Sequence, residues 1–128
     1  MTQKVGIIIV SHSFQIGEGV KVLIDQVIED VPISLACGTE DNDIGTSIEK
    51  IQGAIEQVAS DSGAIIFYDL GSAKMNAEMA IELLESSSIR IAEEIPVVEG
   101  SYIAAVESNL GKSLEEIMSS LEKIKINM

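Results

Sequence analysis

Basic residues, aromatic rings and reactive side chains are all scarce in this chain. Only 8 of 128 residues are Lys or Arg, against 21 Asp or Glu, for a formal net charge of −13. A nucleic-acid backbone is recognised through a cationic face, and so is an anionic membrane surface. Neither is an expected partner here. Arg90 is the sole arginine, so no arginine cluster can surround a phosphate as histidine-phosphatase chemistry requires. Aromatics are 3% of the chain and Trp is absent, which removes stacking platforms for bases. Cys37 is the one cysteine, which excludes an intrachain disulfide and a thiolate metal cluster. His12 is the one histidine, and carboxylates alone make an unconvincing zinc site, so no metal is expected. Asp41 and Asp43 miss the EF-hand spacing and read as a solvated loop. No GxGxxG follows the first apolar run, no GxxxxGK[ST] occurs, and Gly17-Glu18-Gly19 lies inside a helix start. No apolar run approaches the roughly 20 residues that span a bilayer, and the N-terminus lacks the features of a signal peptide. The expected location is the cytoplasm.

What the chain does have is aliphatic bulk. Hydrophobic residues make up 46%, enough for one globular domain over residues 1–128 with a core of Ile, Val, Leu, Ala and Met. Lys4 to Val10 is a continuous β-branched run, the signature of a central parallel strand buried on both faces. Val20, Leu23, Ile24, Val27, Ile28 and Val31 follow at helical spacing, and Pro32 ends that helix. Ile33 to Gly38 reads as a second strand. Thr46 and Glu49 stand at capping-box spacing before a helix that turns Ile48, Ile51, Ile55 and Val58 inward. Ala64 to Asp69 is a third strand. A third helix starts near Ser72 and is expected to bury Met75, Met79, Leu83 and Leu84. Residues 88–96 suggest a weaker fourth strand at or near an edge. Tyr102 to Val106 is helical. A last helix, capped by Ser113 with Glu116, buries Leu114, Ile117, Met118 and Leu121.

Strands alternating with helices call for an α/β fold: a doubly wound, predominantly parallel four-stranded sheet flanked by helices, in the order 2-1-3-4. In such a sheet ligands bind at the carboxyl ends of the strands, where the winding reverses. Here that point lies between strands 1 and 3, and it collects His12 and Asp69.

A lone loop histidine is most often an ordinary hydrogen-bonded surface residue. At this turn it has a second reading. Ser11 and Ser13 offer hydroxyls beside the ring, and the following helix start offers free N–H groups and a positive dipole end, which suit a phosphate on the imidazole. Asp69 could be a plain helix cap. As a partner of His12 it would take the Nδ1 proton and leave Nε2 free to attack. Gly71 and Ser72 add a close backbone and a hydroxyl. Met75, Met79 and Met118 fit core packing better than a cofactor box.

The segments VSHS, GEGV, IGTS, DLGSAKMNAEMA and PVVEGSYIAA occur in this order. Together they resemble the mannose-type EIIA family, and within it the phosphotransferase subunits of PTS-dependent dihydroxyacetone kinases, the DhaM family, in a single-domain form. The likeness runs from Lys4 to about Lys123, and DLGSA.MN.EMA is its most specific part. It implies a phosphoryl carrier: His12 accepts phosphate from phosphohistidine HPr and Asp69 orients the ring. The phosphate then passes to ADP, held with magnesium by the nucleotide subunit DhaL, in support of dihydroxyacetone phosphorylation on DhaK. The carrier needs no cofactor of its own. Ser11, Ser13, Gly38, Thr39, Gly71 and Ser72 are expected on the phosphate-facing rim. Phe14, Leu70 and Met75 are expected to contact partners, with Phe14 substantially exposed. The family forms homodimers, which suits an edge strand.

A receiver domain also places an aspartate after its third strand, but it needs an acidic pair after the first, where this chain has Ser11-His12-Ser13. The alternative reading is a mannose-type EIIA domain of a sugar-transporting system, which shares the histidine chemistry.

Overall fold

The structure, a computed structural model, describes residues 4–84 and 88–126. Chain order is β1 (Gly6–Ser11), α1 (Phe14–Asp25), β2 (Ile33–Cys37), α2 (Ile48–Val58), β3 (Ala64–Tyr68), α3 (Gly71–Leu84), β4 (Ile89–Ile91), α4 (Val97–Asn109) and α5 (Leu114–Glu122). The four strands form one parallel sheet in the order β2-β1-β3-β4, as the alternation of elements predicts. Ile9 stands opposite Leu35 on one side and Phe67 on the other.

β1 explains the layering. Ile7, Ile8, Ile9 and Val10 are all fully buried, yet successive side chains of a strand point to opposite faces. Ile7 and Ile9 join a core with Val20 and Ile24 of α1, Ala104 and Ala105 of α4, and Ile117 and Leu121 of α5. Ile8 and Val10 join the other core, with Ile51 and Ile55 of α2 and Ala73, Ala77 and Ala80 of α3. Right-handed crossovers require this division. The chain steps one way from β1 to β2 and the other way from β2 through β3 to β4, so α1 lies on one face and α2 and α3 on the opposite one.

Three local expectations are corrected. The first helix stops at Asp25, well before Pro32. Twelve residues rise about 18 Å, close to the roughly 20 Å that six strand residues span, so the helix has already crossed the sheet. Ile28 and Val31 are still buried, from the segment leading to β2, but Leu23 and Val27 are more than half exposed. The second helix is capped by Ser47, whose hydroxyl accepts from the Lys50 N–H, and not by Thr46 with Glu49. On α3 the buried face is Ala73, Ala77 and Ala80, while Met75, Met79 and Leu83 are 69%, 47% and 61% exposed. Small side chains let this helix lie close to the sheet, and Leu84 is half-buried at its end. The Ser113–Glu116 capping box opens α5 as expected. β4 is a three-residue edge strand whose exposed Arg90 pairs with Glu115.

Candidate functional site

The carboxyl ends of β1 and β3 are adjacent, so the residues after them meet. His12 follows β1 and Asp69 follows β3. Nδ1 of His12 lies 3.0 Å from Oδ1 of Asp69, with the two side chains 20% and 16% exposed. The carboxylate takes three further donors: the Leu70 N–H on Oδ1 (2.7 Å), and the Ser11 hydroxyl (2.8 Å) and His12 N–H (3.0 Å) on Oδ2. Burial opposes the charge on Asp69. The hydrogen bonds from the His12 ring, the His12 N–H, Ser11 and Leu70 outweigh it and hold the acid below its ordinary value of 3.8.

A carboxylate surrounded by donors can only accept, so in the neutral ring the proton sits on Nδ1. Nε2 then carries the lone pair. It lies 2.7 Å from the Ser72 hydroxyl, in the first turn of α3. Ser72 belongs to the first turn of a helix, so Nε2 lies beside the positive end of the α3 dipole. This arrangement presents an oriented nucleophilic nitrogen to an anion.

The other anticipated residues fall into two groups. Ser11 is fully buried and accepts from the Ser13 N–H as well as donating to Asp69. Ser13 is the N-cap of α1, its hydroxyl taking the Ile16 N–H. Gly38 donates to the Ser11 carbonyl and has φ of +78°, so it turns the chain out of β2 into the rim loop. Gly71 and Ser72 open α3. The Thr39 hydroxyl accepts from the Asp43 N–H inside its own loop. Leu70 and Met75 are exposed on the rim. Phe14 is half-buried rather than substantially exposed, because the Lys50 ammonium sits 5.7 Å from its ring centroid. That ammonium also donates to the Cys37 carbonyl and to Asn42 Oδ1.

Sequence reasoning missed a second set of contacts. The Gly45 N–H donates to the His12 carbonyl (2.9 Å), and the Asn76 amide donates to the Thr46 hydroxyl. The only sequence signal for Asn76 is its place in the MN.EMA segment. Among the described residues no group of His, Cys, Asp and Glu is arranged to hold a metal ion, and no helix is long and apolar enough to cross a membrane.

A histidine held by an aspartate at the switch point of a 2-1-3-4 parallel sheet defines a class. The chain belongs to the EIIA-man family: the family model described as PTS system fructose IIA component matches residues 6–118. Within it the chain belongs to the DhaM family. It is 39% identical over 126 residues to PEP-dependent dihydroxyacetone kinase 1, phosphoryl donor subunit DhaM, of Listeria innocua, covering 98% of this chain and 99% of that one. It is 36% identical over 121 residues to PTS-dependent dihydroxyacetone kinase, phosphotransferase subunit DhaM, of Lactococcus lactis, covering 94% and 96%. The DhaM of Escherichia coli is likewise 36% identical, and there the match covers 89% of this chain but 25% of that protein. Among solved structures, a protein of unknown function superimposes with a TM-score of 0.85 at 30% identity over 98% of both chains. A sigma-54 interaction domain protein from Enterococcus faecalis shares the fold, with a TM-score of 0.71 at 14% identity over 96% of this chain and 91% of that one.

Proposed function

We propose that this chain is the phosphoryl carrier of a dihydroxyacetone kinase, loaded on His12 by phosphohistidine HPr and discharged to ADP on a DhaL subunit. The carrying observation is the His12–Asp69 pair, with Nδ1 held at 3.0 Å and Nε2 turned to the first turn of α3. The Nε2 lone pair attacks phosphorus as the donor's N–P bond breaks, its electron pair returning to the donor imidazole. The Nδ1 proton stays on His12, shared with Asp69, whose charge stabilises the cationic ring that results. In the second step a β-phosphate oxygen of ADP attacks, the Nε2–P bond breaks, and ATP leaves with its magnesium on the partner. Such transfers need positioning and charge stabilisation more than covalent machinery, and Ser72 with the α3 N-terminus supplies both to the phosphoryl oxygens.

Both partners must reach His12 in turn. Exposed Leu70 and Met75 and half-buried Phe14 border it and form the contact surface in this reading. Self-association as a homodimer belongs to the same proposal, supported by a β4 edge that, among the described residues, pairs only with β3.

The test incubates the protein with radiolabelled phospho-HPr, then adds either DhaL with Mg-ADP or a mannose-type EIIB. Label leaving wild type only with DhaL, and none accepted by His12→Ala, is the expected result. Release only to EIIB would replace the proposal with the sugar-transport reading, and an acid-labile adduct on His12→Ala would remove His12 from it.

A further inference from the structure

The DhaM-like segment MN.EMA contains two polar side chains, Asn76 and Glu78, that the transfer chemistry above does not use; Glu78 is exposed, and Asn76 is half-buried. Asn76 lies on α3 one turn after Ser72. Its amide donates to the Thr46 hydroxyl, 30 residues away in the rim loop. The neighbouring Gly45 N–H donates to the His12 carbonyl at 2.9 Å. Ser72 meets the His12 ring at 2.7 Å. The contacts form a closed circuit. From His12 it runs through the ring to Ser72, along one turn of α3 to Asn76, across to Thr46 and Gly45, and back to the His12 main chain.

We propose that Asn76 and Thr46 are positioning residues for phosphoryl transfer: their hydrogen bond ties the loop that holds the His12 backbone to the helix that holds its ring. The inference rests on the reading of His12 as the carrier. Its physical basis is that Asp69 fixes only one edge of the imidazole. Oδ1 and Oδ2 bind Nδ1 and the His12 N–H, and Nε2 at the far edge of the ring meets Ser72. Ser72 is exposed at a helix start, so the position of α3 relative to β1 sets how its hydroxyl meets Nε2 and a phosphate carried there. Asn76 is half-buried and anchors the same end of α3 to the same loop. The rest of that loop is internally braced and cannot give easily. Thr39 and Asp43 exchange hydrogen bonds, Asn42 donates to the Thr39 carbonyl, and Lys50 holds the Asn42 side chain. An error in α3 placement is therefore passed to the contact between Ser72 and Nε2 and not absorbed by the loop.

Near-attack geometry is steep: a misplacement of about 1 Å can cost roughly 100-fold in rate. Thr46→Val keeps the shape and removes the hydroxyl; Thr46→Ser keeps the hydroxyl and removes the methyl. The experiment measures donor-to-carrier transfer at saturating and limiting phospho-HPr, alongside 15N NMR of the ring of His12, the one histidine in the chain. Thr46→Val and Asn76→Ala are expected to lower kcat by roughly 10- to 100-fold with KM for the donor unchanged, and to broaden or shift the Nε2 signal. Thr46→Ser is expected to keep both at wild-type values. A wild-type rate in Thr46→Val, or an equal loss in Thr46→Ser, overturns the positioning role. If wild type itself accepts no phosphate, the carrier reading fails separately, and the NMR comparison still decides: an unchanged Nε2 signal in Thr46→Val and Asn76→Ala overturns the circuit.

Discussion

Asp69 holds His12 twice, once by the ring and once by the main chain. Oδ1 lies 3.0 Å from Nδ1 and Oδ2 lies 3.0 Å from the backbone nitrogen of the same residue. The side chain cannot pivot about its own backbone without breaking one of the two bonds. The carboxylate thus orients the ring as well as balancing its charge.

Replacing Asp69 by Asn therefore does more than remove a charge. Every group facing the carboxylate is a donor, so either orientation of an amide sets its NH2 against a donor. With the NH2 toward Nδ1, the ring is driven to the Nε2–H tautomer and its nucleophilic lone pair is lost. Asp69→Asn is expected to slow phosphoryl acceptance by about 100-fold or more. Rapid-quench transfer from phospho-HPr measures the loss, and a rate within threefold (about 0.65 kcal/mol) of wild type would remove Asp69 from the mechanism.

The depressed acidity of Asp69 also sets a pH dependence. Its native value lies below the ordinary 3.8 that it recovers on unfolding. Such a group stabilises the fold above the unfolded value, and the contribution is lost as pH falls through the native one. Urea unfolding of wild type and Asp69→Asn from about pH 6 to about pH 2.5 should show wild type losing its advantage only below 3.8. A gap that stays constant across that range would contradict the assignment.

Gly17 is the point where α1 rests on β2. A Cβ there would lie 2.2 Å from Cys37 Sγ and 3.0 Å from Cys37 Cβ. Gly17→Ala should cost about 1–3 kcal/mol, as overpacking does, and Cys37→Ala should recover part of the loss, since the Cβ contact remains. Additive effects in the double-mutant cycle would show that the two do not touch. Burial also pushes the Cys37 thiol up to about 11, so the native protein should resist iodoacetamide at mildly alkaline pH and react once unfolded.

On α3 the two apolar stripes should respond oppositely. Met79 is 47% exposed and Ala77 fully buried against the sheet. Met79→Lys should change stability by within about 0.5 kcal/mol, whereas Ala77→Leu should cost about 1–3 kcal/mol. Thermal unfolding of the two variants decides which face is the packed one.

The same helix shows where sequence reading stops. Met75 and Met79 repeat at four residues, and so do Ala73 and Ala77, so spacing alone gives two faces. Hydropathy favours the methionines, but a close helix–sheet distance favours the alanines, and that distance is a property of the assembled layers. The N-cap of α2 is ambiguous for a related reason. Thr46 and Ser47 are adjacent hydroxyls; Ser47 takes the Lys50 N–H as cap, while Thr46 accepts from Asn76, 30 residues away. The His12–Asp69 pair was legible because the strand order places two chain ends side by side, and that order follows from alternating elements. Phe14 was misjudged because its cover, Lys50, comes from another helix.

The alternation along β1 has a mutational consequence. Ile7 and Ile9 serve one core, Ile8 and Val10 the other. Substitutions in the α1, α4 and α5 layer reach His12 chiefly through the backbone of β1 and the first turn of α1. The α2 and α3 layer carries Ser72 and Asn76, and with them the part of the rim that faces Nε2. Aliphatic exchanges deep in the first layer, at Ile24, Ala104 or Ile117, are therefore expected to leave the ring undisturbed, whereas changes at the start of α3 reach the rim directly.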